Sequence, residues 1–294
     1  MFEIRDLWPQ TLVDLGAMRL GSPGERLLRA IEAFLVRRAT VVITLLPGIR
    51  DYLSSRRLPT DRVVYIPNGV DMADFDPSRA TAPSAASAAL TSCLSAIDRL
   101  RREGRFVLGY TGTFGRVNRV DVIARAAAIA EERQPGRVGV VLVGDGPELP
   151  GLEHEFAGLA TLAFCAAVAK REIPAVLGAL DATIVHTTAT PVYRYGISFH
   201  KLFDYMAAAK PVVFATESAY DPVAATGAGL SLTPDDSNAL ADAFIAVADR
   251  SDDDLVAMGR AGQAYVRREH NMAILGEALA GVVEERPPAT RVAG

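Results

Sequence analysis

Between residues 106 and 268 short apolar runs alternate with segments of helical period, and that alternation constrains the fold more than any other feature of the chain. Strand-like runs fall at 106–110, 138–143, 161–164, 182–186, 212–215 and 230–232. Helical patterns fall between or after them at 120–132, 149–158, 171–180, 198–209, 236–249 and 255–268, with a last one at 273–285. Strands that alternate with helices imply a parallel sheet covered by helices on both faces, an α/β architecture. The first 66 residues repeat the theme in shortened form. A strand at 1–4 precedes a helix at 24–39, a strand at 41–45, a helix at 48–58 stopped by Pro59, and a strand at 63–66. Pro67-Asn68-Gly69 then reads as a turn. The Ala- and Ser-rich stretch 81–89 reads as a surface loop or weak helix, and the tail after Pro287 as frayed.

The 24–39 helix carries Leu27, Leu28, Ile31, Phe34 and Leu35 on one face, with Arg26, Arg29, Glu32 and Arg37 off it. Two uses of this helix stay open: packing on the small sheet, or contact of Arg26, Arg29, Arg37 and Arg38 with anionic lipid. Composition narrows the function. With 294 residues there is room for one large or two medium domains, and a net charge of -4 argues against nucleic acid as a partner. No apolar run reaches the ~18 residues of a membrane span, and no signal peptide pattern opens the chain. The expected location is therefore cytoplasmic, with the inner face of the membrane as the alternative. Cys93 and Cys165 share no motif and read as reduced thiols. His154-Glu155 lacks the second histidine of a zinc helix, His186 ends a strand, and no metal is expected. Asp252-Asp253-Asp254 reads as a solvated helix start.

Three glycine-bearing turns follow strands of the alternating region. They are Gly112-Thr113-Phe114-Gly115 with Arg116 next, Gly144-Asp145-Gly146-Pro147-Glu148, and Tyr195-Gly196-Ile197-Ser198. Open parallel sheets bind ligands beyond the carboxyl ends of their strands. Glycine lets backbone approach a phosphate, and free N–H groups at a helix start favour an anion. The third turn opens a helix for which Ser198 is a candidate N-cap. Lys201 and Asp204 lie three residues apart on that helix. They suit a diphosphate and a ribose respectively, or form a solvated ion pair.

The run from Tyr193 to Val213 resembles the donor-site motif of bacterial glycosyltransferase family 4, and within it the surface-polysaccharide branch that builds O-antigen and capsule. Glu3-Ile4-Arg5-Asp6-Leu7-Trp8-Pro9, Ile66-Pro67-Asn68-Gly69-Val70-Asp71 and Gly144-Asp145-Gly146-Pro147 resemble other motifs of that branch in the same order. The resemblance implies a GT-B fold and retaining transfer of a sugar from a nucleotide-diphosphate donor, with no cofactor, to a polysaccharide or lipid-linked saccharide. It implies that Arg116 and Lys201 neutralise the leaving diphosphate. It implies substrate contacts for Gly112, Gly115, Gly144, Gly146, Glu148, Val168, Gly196, Ile197, Ser198 and Asp204. Residues 1–66 would be what remains of the acceptor-side domain, 67–75 the link, 76–266 a complete Rossmann-like donor domain, and 267–286 a helix crossing back.

The chain departs from the family pattern in several places. Gly196 and Asp204 stand where many members carry glutamates, Phe199 and His200 where small or amide residues are usual, Ala209 where glycine is common, and Asn118-Arg119 near where many members place a lysine. About a hundred residues of acceptor-side domain would normally precede the first motif. That shortness leaves two other expectations beside transfer: a nucleotide-sugar-binding module without turnover, and a sugar-nucleotide epimerase of the same architecture.

Overall fold

The computed structural model describes residues 1–76 and 86–284. The stretch 81–85 and the tail expected to fray lie outside the described residues. The first part comprises β1 (Phe2–Ile4), α1 (Gln10–Asp14), α2 (Pro23–Arg38), β2 (Val42–Thr44), α3 (Ile49–Ser55) and β3 (Val63–Tyr65), whose strands form a parallel sheet in the order β1-β2-β3. The second part runs α4 (Ala88–Arg102), β4 (Phe106–Thr113), α5 (Val120–Arg133), β5 (Val138–Asp145), α6 (Leu149–Glu155), β6 (Leu162–Cys165), α7 (Ile173–Ala179) and β7 (Ala182–His186). It continues with α8 (His200–Ala207), β8 (Val212–Ala215), α9 (Pro222–Thr226), β9 (Gly229–Leu232), α10 (Ser237–Ala248), α11 (Asp252–Glu269) and α12 (Met272–Glu284). Its six strands are all parallel, ordered β6-β5-β4-β7-β8-β9.

That order reverses direction between β4 and β7, so the chain leaves β4 one way for β5 and β6 and the other way for β7 to β9. A crevice at the carboxyl ends of the two central strands follows from the topology. Apolar clusters fill both faces of the sheet. One joins α4, α7, α8 and α11; the other joins α5 and α10. The helix α4 was not recognised in the sequence, because its start continues the Ala- and Ser-rich composition of the stretch before it. Ser87 caps it, and Leu90, Cys93, Ile97 and Leu100 bury its inner face. Cys165 on β6 makes a thiol contact with Cys93, so the two cysteines meet despite their separation.

Three local expectations need correction. The Pro67-Asn68-Gly69 segment forms no turn. Tertiary bonds hold it instead: the Asn68 amide donates to the Ser198 carbonyl (2.8 Å) and hydroxyl (2.9 Å), and Val70 exchanges backbone bonds with His270 and Met272. Ser198 is not an N-cap; α8 starts at His200, and the Ser198 hydroxyl is taken by Asn68. The apolar face of α2 is turned only partly inward, with Leu28 and Leu35 half-buried. Leu27, Ile31 and Phe34 are exposed, whereas Glu25, Glu32 and Val36 are buried. Glu32 is turned inward by partners that the spacing within one helix does not reveal, Tyr52 Oη at 2.8 Å and the Arg56 guanidinium at 2.6 Å. The last helix, α12, returns to the link: Met272 and Leu275 close over Gly69, and no α12 residue is buried.

Candidate functional site

The first glycine turn ends β4 at the switch point. Tyr110 Oη donates to the Thr113 carbonyl at 2.9 Å, curling the strand end onto itself. From α8, the Tyr205 hydroxyl accepts from the Thr111 N–H (2.7 Å) and donates to the Thr111 carbonyl (3.1 Å). This clamp fixes α8 against β4 and brings Lys201 to Gly112. Its ammonium donates to Asn118 Oδ1 (2.8 Å) and Tyr110 Oη (3.1 Å), and lies 4.4 Å from the centre of the Tyr110 ring. Lys201 as a whole residue is half-buried, but its ammonium is desolvated enough to bring its pKa down to about 7. It is not paired with Asp204, whose carboxylate meets Lys170 instead, and the ion-pair expectation is overturned.

The second turn nests on the first. Gly144 has φ +155, and a methyl there would fall 1.9 Å from the Gly112 carbonyl oxygen; at Gly146, φ +156, it would fall 2.4 Å from the Phe114 oxygen. These glycines allow two strand ends to interlock. Together the turns wall a cavity of about 290 Å³ that Gly112, Gly144, Asp145, Val168 and Ile173 line. Just beyond Val168, Lys170 Nζ approaches the Asp204 carboxylate at 3.5 Å. Burial raises the Asp204 pKa, opposed by Lys170. Lys201 and Asp204 thus face different neighbours, one the glycine turn and the other the 168–172 segment.

The third turn behaves differently. Gly196, Ile197 and Ser198 line a separate cavity of about 300 Å³ with Arg5, Asp6, Asn68 and His200. Gly196 has φ +101 and abuts Pro47, where a methyl would come within 2.6 Å of Pro47 Cδ. Gly48 donates its N–H to the Tyr195 carbonyl at 2.9 Å. Tyr195 also packs edge-on against Tyr52, 5.3 Å between ring centres. So the three turns do not share one cavity: two form a cradle at β4 and β5, and the third is pressed onto the small sheet's side.

Arg116 and Gly115 lie at the mouth of the first turn. Arg116 is exposed and has no hydrogen bond or ion pair among the described residues. Its neighbour Arg119 is engaged, with Asp121 at 3.0 Å and Asp235 at 2.9 Å. Glu148 is half-buried at the start of α6, near Arg119. Sequence reasoning missed Tyr110, Asn118 and Tyr205, which reach the site across 83 to 94 residues of chain. The signals present were the aromatic at 110 inside a strand and the place of Asn118 near a position where many family members carry a lysine. A larger depression of about 760 Å³ lies at the opposite end of the sheet, near the start of β4. Its Arg101, Arg105 and Arg137 are bound to carboxylates, and it lies away from the switch point.

Two segments of the chain match families of known proteins. Residues 105–250 match the glycosyl transferases group 1 family, and residues 1–69 the glycosyl transferase 4-like domain. No curated protein matches the chain in sequence. Solved structures match it in fold. HepE of Anabaena in complex with UDP is 19% identical with a TM-score of 0.67, over 91% of this chain and 70% of HepE. Sucrose-phosphate synthase of Thermosynechococcus elongatus is 20% identical with a TM-score of 0.68, over 92% of this chain and 65% of the synthase. WaaG, a glycosyltransferase involved in lipopolysaccharide biosynthesis, is 14% identical with a TM-score of 0.69, over 97% of this chain and 74% of WaaG. At these identities the likeness is one of fold, and the fold is GT-B.

Proposed function

From the two glycosyltransferase-family matches and the GT-B fold, we propose that this chain transfers a sugar, with retention, from a nucleotide-diphosphate donor to a polysaccharide or lipid-linked saccharide. The observation that carries this reading is the desolvated Lys201 ammonium beside Gly112, at the switch point of the sheet. A cation with two neutral oxygen partners and no carboxylate beside it has no charge partner of its own, so an anionic ligand there is favoured and would stabilise the protonated amine. Negative charge grows on the diphosphate as the glycosidic bond breaks, so a fixed cation there stabilises the transition state more than the ground state. In this reading Arg116, exposed at the turn's mouth, closes on the same diphosphate. Asp204 takes the ribose hydroxyls, with Lys170 yielding its place. The cavity beside Val168 receives the base, and the Gly196–Ser198 cavity, which Arg5 and Asp6 share, lies where donor sugar and acceptor meet. Residues 76–266 serve as the donor half and 1–66 as the acceptor-side half. HepE was crystallised with UDP-glucose, which supports a uridine donor as the first to try.

Isothermal titration calorimetry with UDP-, GDP-, ADP- and dTDP-sugars tests the donor assignment. One class is expected to bind, and Asp204→Ala should weaken it about tenfold through loss of the ribose contacts. Equal affinity of Asp204→Ala and wild type for every sugar nucleotide that binds would remove Asp204 from the site.

An anionic lipid surface is the second partner in this reading. The outward stripe Leu27, Ile31 and Phe34 on α2 supports it, flanked by exposed Arg26, Arg37 and Arg38 with the helix's carboxylates buried. No helix among the described residues is long and apolar enough to cross a membrane, so such contact would be interfacial. The triple variant Leu27→Ser, Ile31→Ser, Phe34→Ser should lower partitioning onto phosphatidylglycerol vesicles by about tenfold or more. Unchanged co-sedimentation would dismiss the lipid contact and leave the donor assignment standing.

A further inference from the structure

Lys201 has three ammonium protons and two partners. Asn118 Oδ1 and Tyr110 Oη accept two of them, and the third has no acceptor among the described residues. Both partners are themselves held from behind by one atom, the Thr113 carbonyl oxygen. It accepts from Tyr110 Oη at 2.9 Å and from Asn118 Nδ2 at 2.9 Å. The amide of Asn118 therefore has one workable orientation. Reversing it would point a donor at the ammonium and an acceptor at a carbonyl.

The main chain of Asn118 is fixed as well. The buried His186 accepts the Asp235 N–H on Nε2 at 3.1 Å, so its ring proton lies on Nδ1, which donates to the Asn118 carbonyl at 3.2 Å. One residue earlier, the Val117 carbonyl accepts from the Thr188 N–H at 2.7 Å. Arg119, held at φ +45, is braced by Asp121 and Asp235. The end of β7 and the first glycine turn meet at one asparagine, and the loop before α10 holds its neighbours His186 and Arg119 in place. None of those contacts is needed merely to satisfy a lysine, which a single carboxylate would do better.

We propose that Asn118 is the positioning residue for Lys201: it holds the ammonium beside Gly112 with an uncharged oxygen, leaving the third proton and the full charge for the donor's diphosphate. This rests on the reading that Lys201 meets that diphosphate. The essential point is neutrality. An aspartate at 118 would hold the ammonium in the same place and more tightly, yet would compete with the ligand for its charge.

The test uses the full chain with two probes, UDP and inorganic pyrophosphate, the latter independent of base preference. Binding is measured by calorimetry for wild type, Asn118→Ala, Asn118→Asp and Lys201→Met. The titration of the Lys201 ε-carbon is followed by NMR, with Lys201→Met assigning the signal. The ionisable side chain in contact with the amine is the Tyr110 phenol, which burial keeps protonated well above the usual range. Asn118→Ala should weaken both probes about tenfold, since a charge-assisted contact that fixes the cation is lost. Asn118→Asp should weaken them at least as much while moving the Lys201 midpoint upward. Wild-type or tighter affinity in Asn118→Asp would overturn the proposal, because any acceptor would then suffice. Wild-type affinity in Asn118→Ala, with binding lost in Lys201→Met, would overturn it alone. Wild-type affinity in Lys201→Met would instead overturn the donor reading on which it stands.

Discussion

Replacing Lys201 by methionine is expected to lower kcat/KM for sugar release from the donor by about a hundredfold to a thousandfold, the scale on which a preorganised electrostatic contact to a leaving group acts. Arginine should not rescue it. The ammonium sits between two oxygens 2.8 and 3.1 Å away, and a planar guanidinium does not fit that geometry. The same variant should be more stable than wild type at neutral and acidic pH. Burial holds the folded-state pKa near 7, while the unfolded chain keeps an ordinary lysine near ~10.4. The unfolded state therefore binds more protons between these values, and wild-type stability rises with pH across that window. Below pH 7 the folded protein carries a desolvated charge and the penalty is fully present. Lys201→Met removes it, so the gain in Tm should be largest in acid and fade toward pH 10. Binding has the matching sign. UDP affinity of wild type should fall as pH rises above 7, because the free protein then loses the cation, and that dependence should vanish in Lys201→Met. An active Lys201→Met, or a flat wild-type profile from pH 6 to 9, would refute the assignment.

Gly144→Ala should produce the largest structural effect of a single methyl at the site. The added carbon would fall 1.9 Å from the Gly112 carbonyl oxygen, at a φ of +155. Neither atom is the flexible end of a side chain, so two strand termini would have to separate. A cost of about 3–5 kcal/mol is expected from overpacking and backbone strain, or a drop of roughly 10 °C in Tm. Because Lys201 stands at Gly112, UDP affinity should fall in the protein that remains folded. Gly151→Ala is the companion control. It lies inside α6 with nothing within 4 Å of the added methyl, and should stabilise by about 0.5–1 kcal/mol. Equal melting temperatures for wild type and Gly144→Ala would mean that the two turns are not interlocked as described.

Most of the sheet was legible in the sequence because its strands are buried on both faces and read as unbroken apolar runs. Val138 to Val143, Ala182 to His186 and Val212 to Ala215 fell within two residues of their observed limits. The features that misled were those decided by distant partners. Pro67-Asn68-Gly69 carries turn chemistry, yet Asn68 spends its amide on Ser198, 130 residues away. The same bond removes Ser198 from capping duty. On α2 the hydrophobic period was legible but the way it faces was left open, because Tyr52 and Arg56, which draw Glu32 inward, lie on another element. Of the site, the glycine turns and Lys201 were visible as residue types in register after strands. Asn118 was not. Its place near a usual lysine read only as a departure from the family pattern, and its use emerges when the fold brings Lys201 and His186 to it.

The interlocking of the first two turns also bears on redesign. The cradle that Gly112 and Gly144 form is continuous with β4 and β5, the sheet's most extensively paired neighbours, so it cannot be transplanted as a loop graft. The other wall of that cavity, Ala167, Val168 and Ile173, belongs to a segment outside the sheet. On the proposed donor reading, libraries randomised over 167–173 would vary the end of the cavity assigned to the nucleobase, while the turn assigned to the diphosphate stayed fixed.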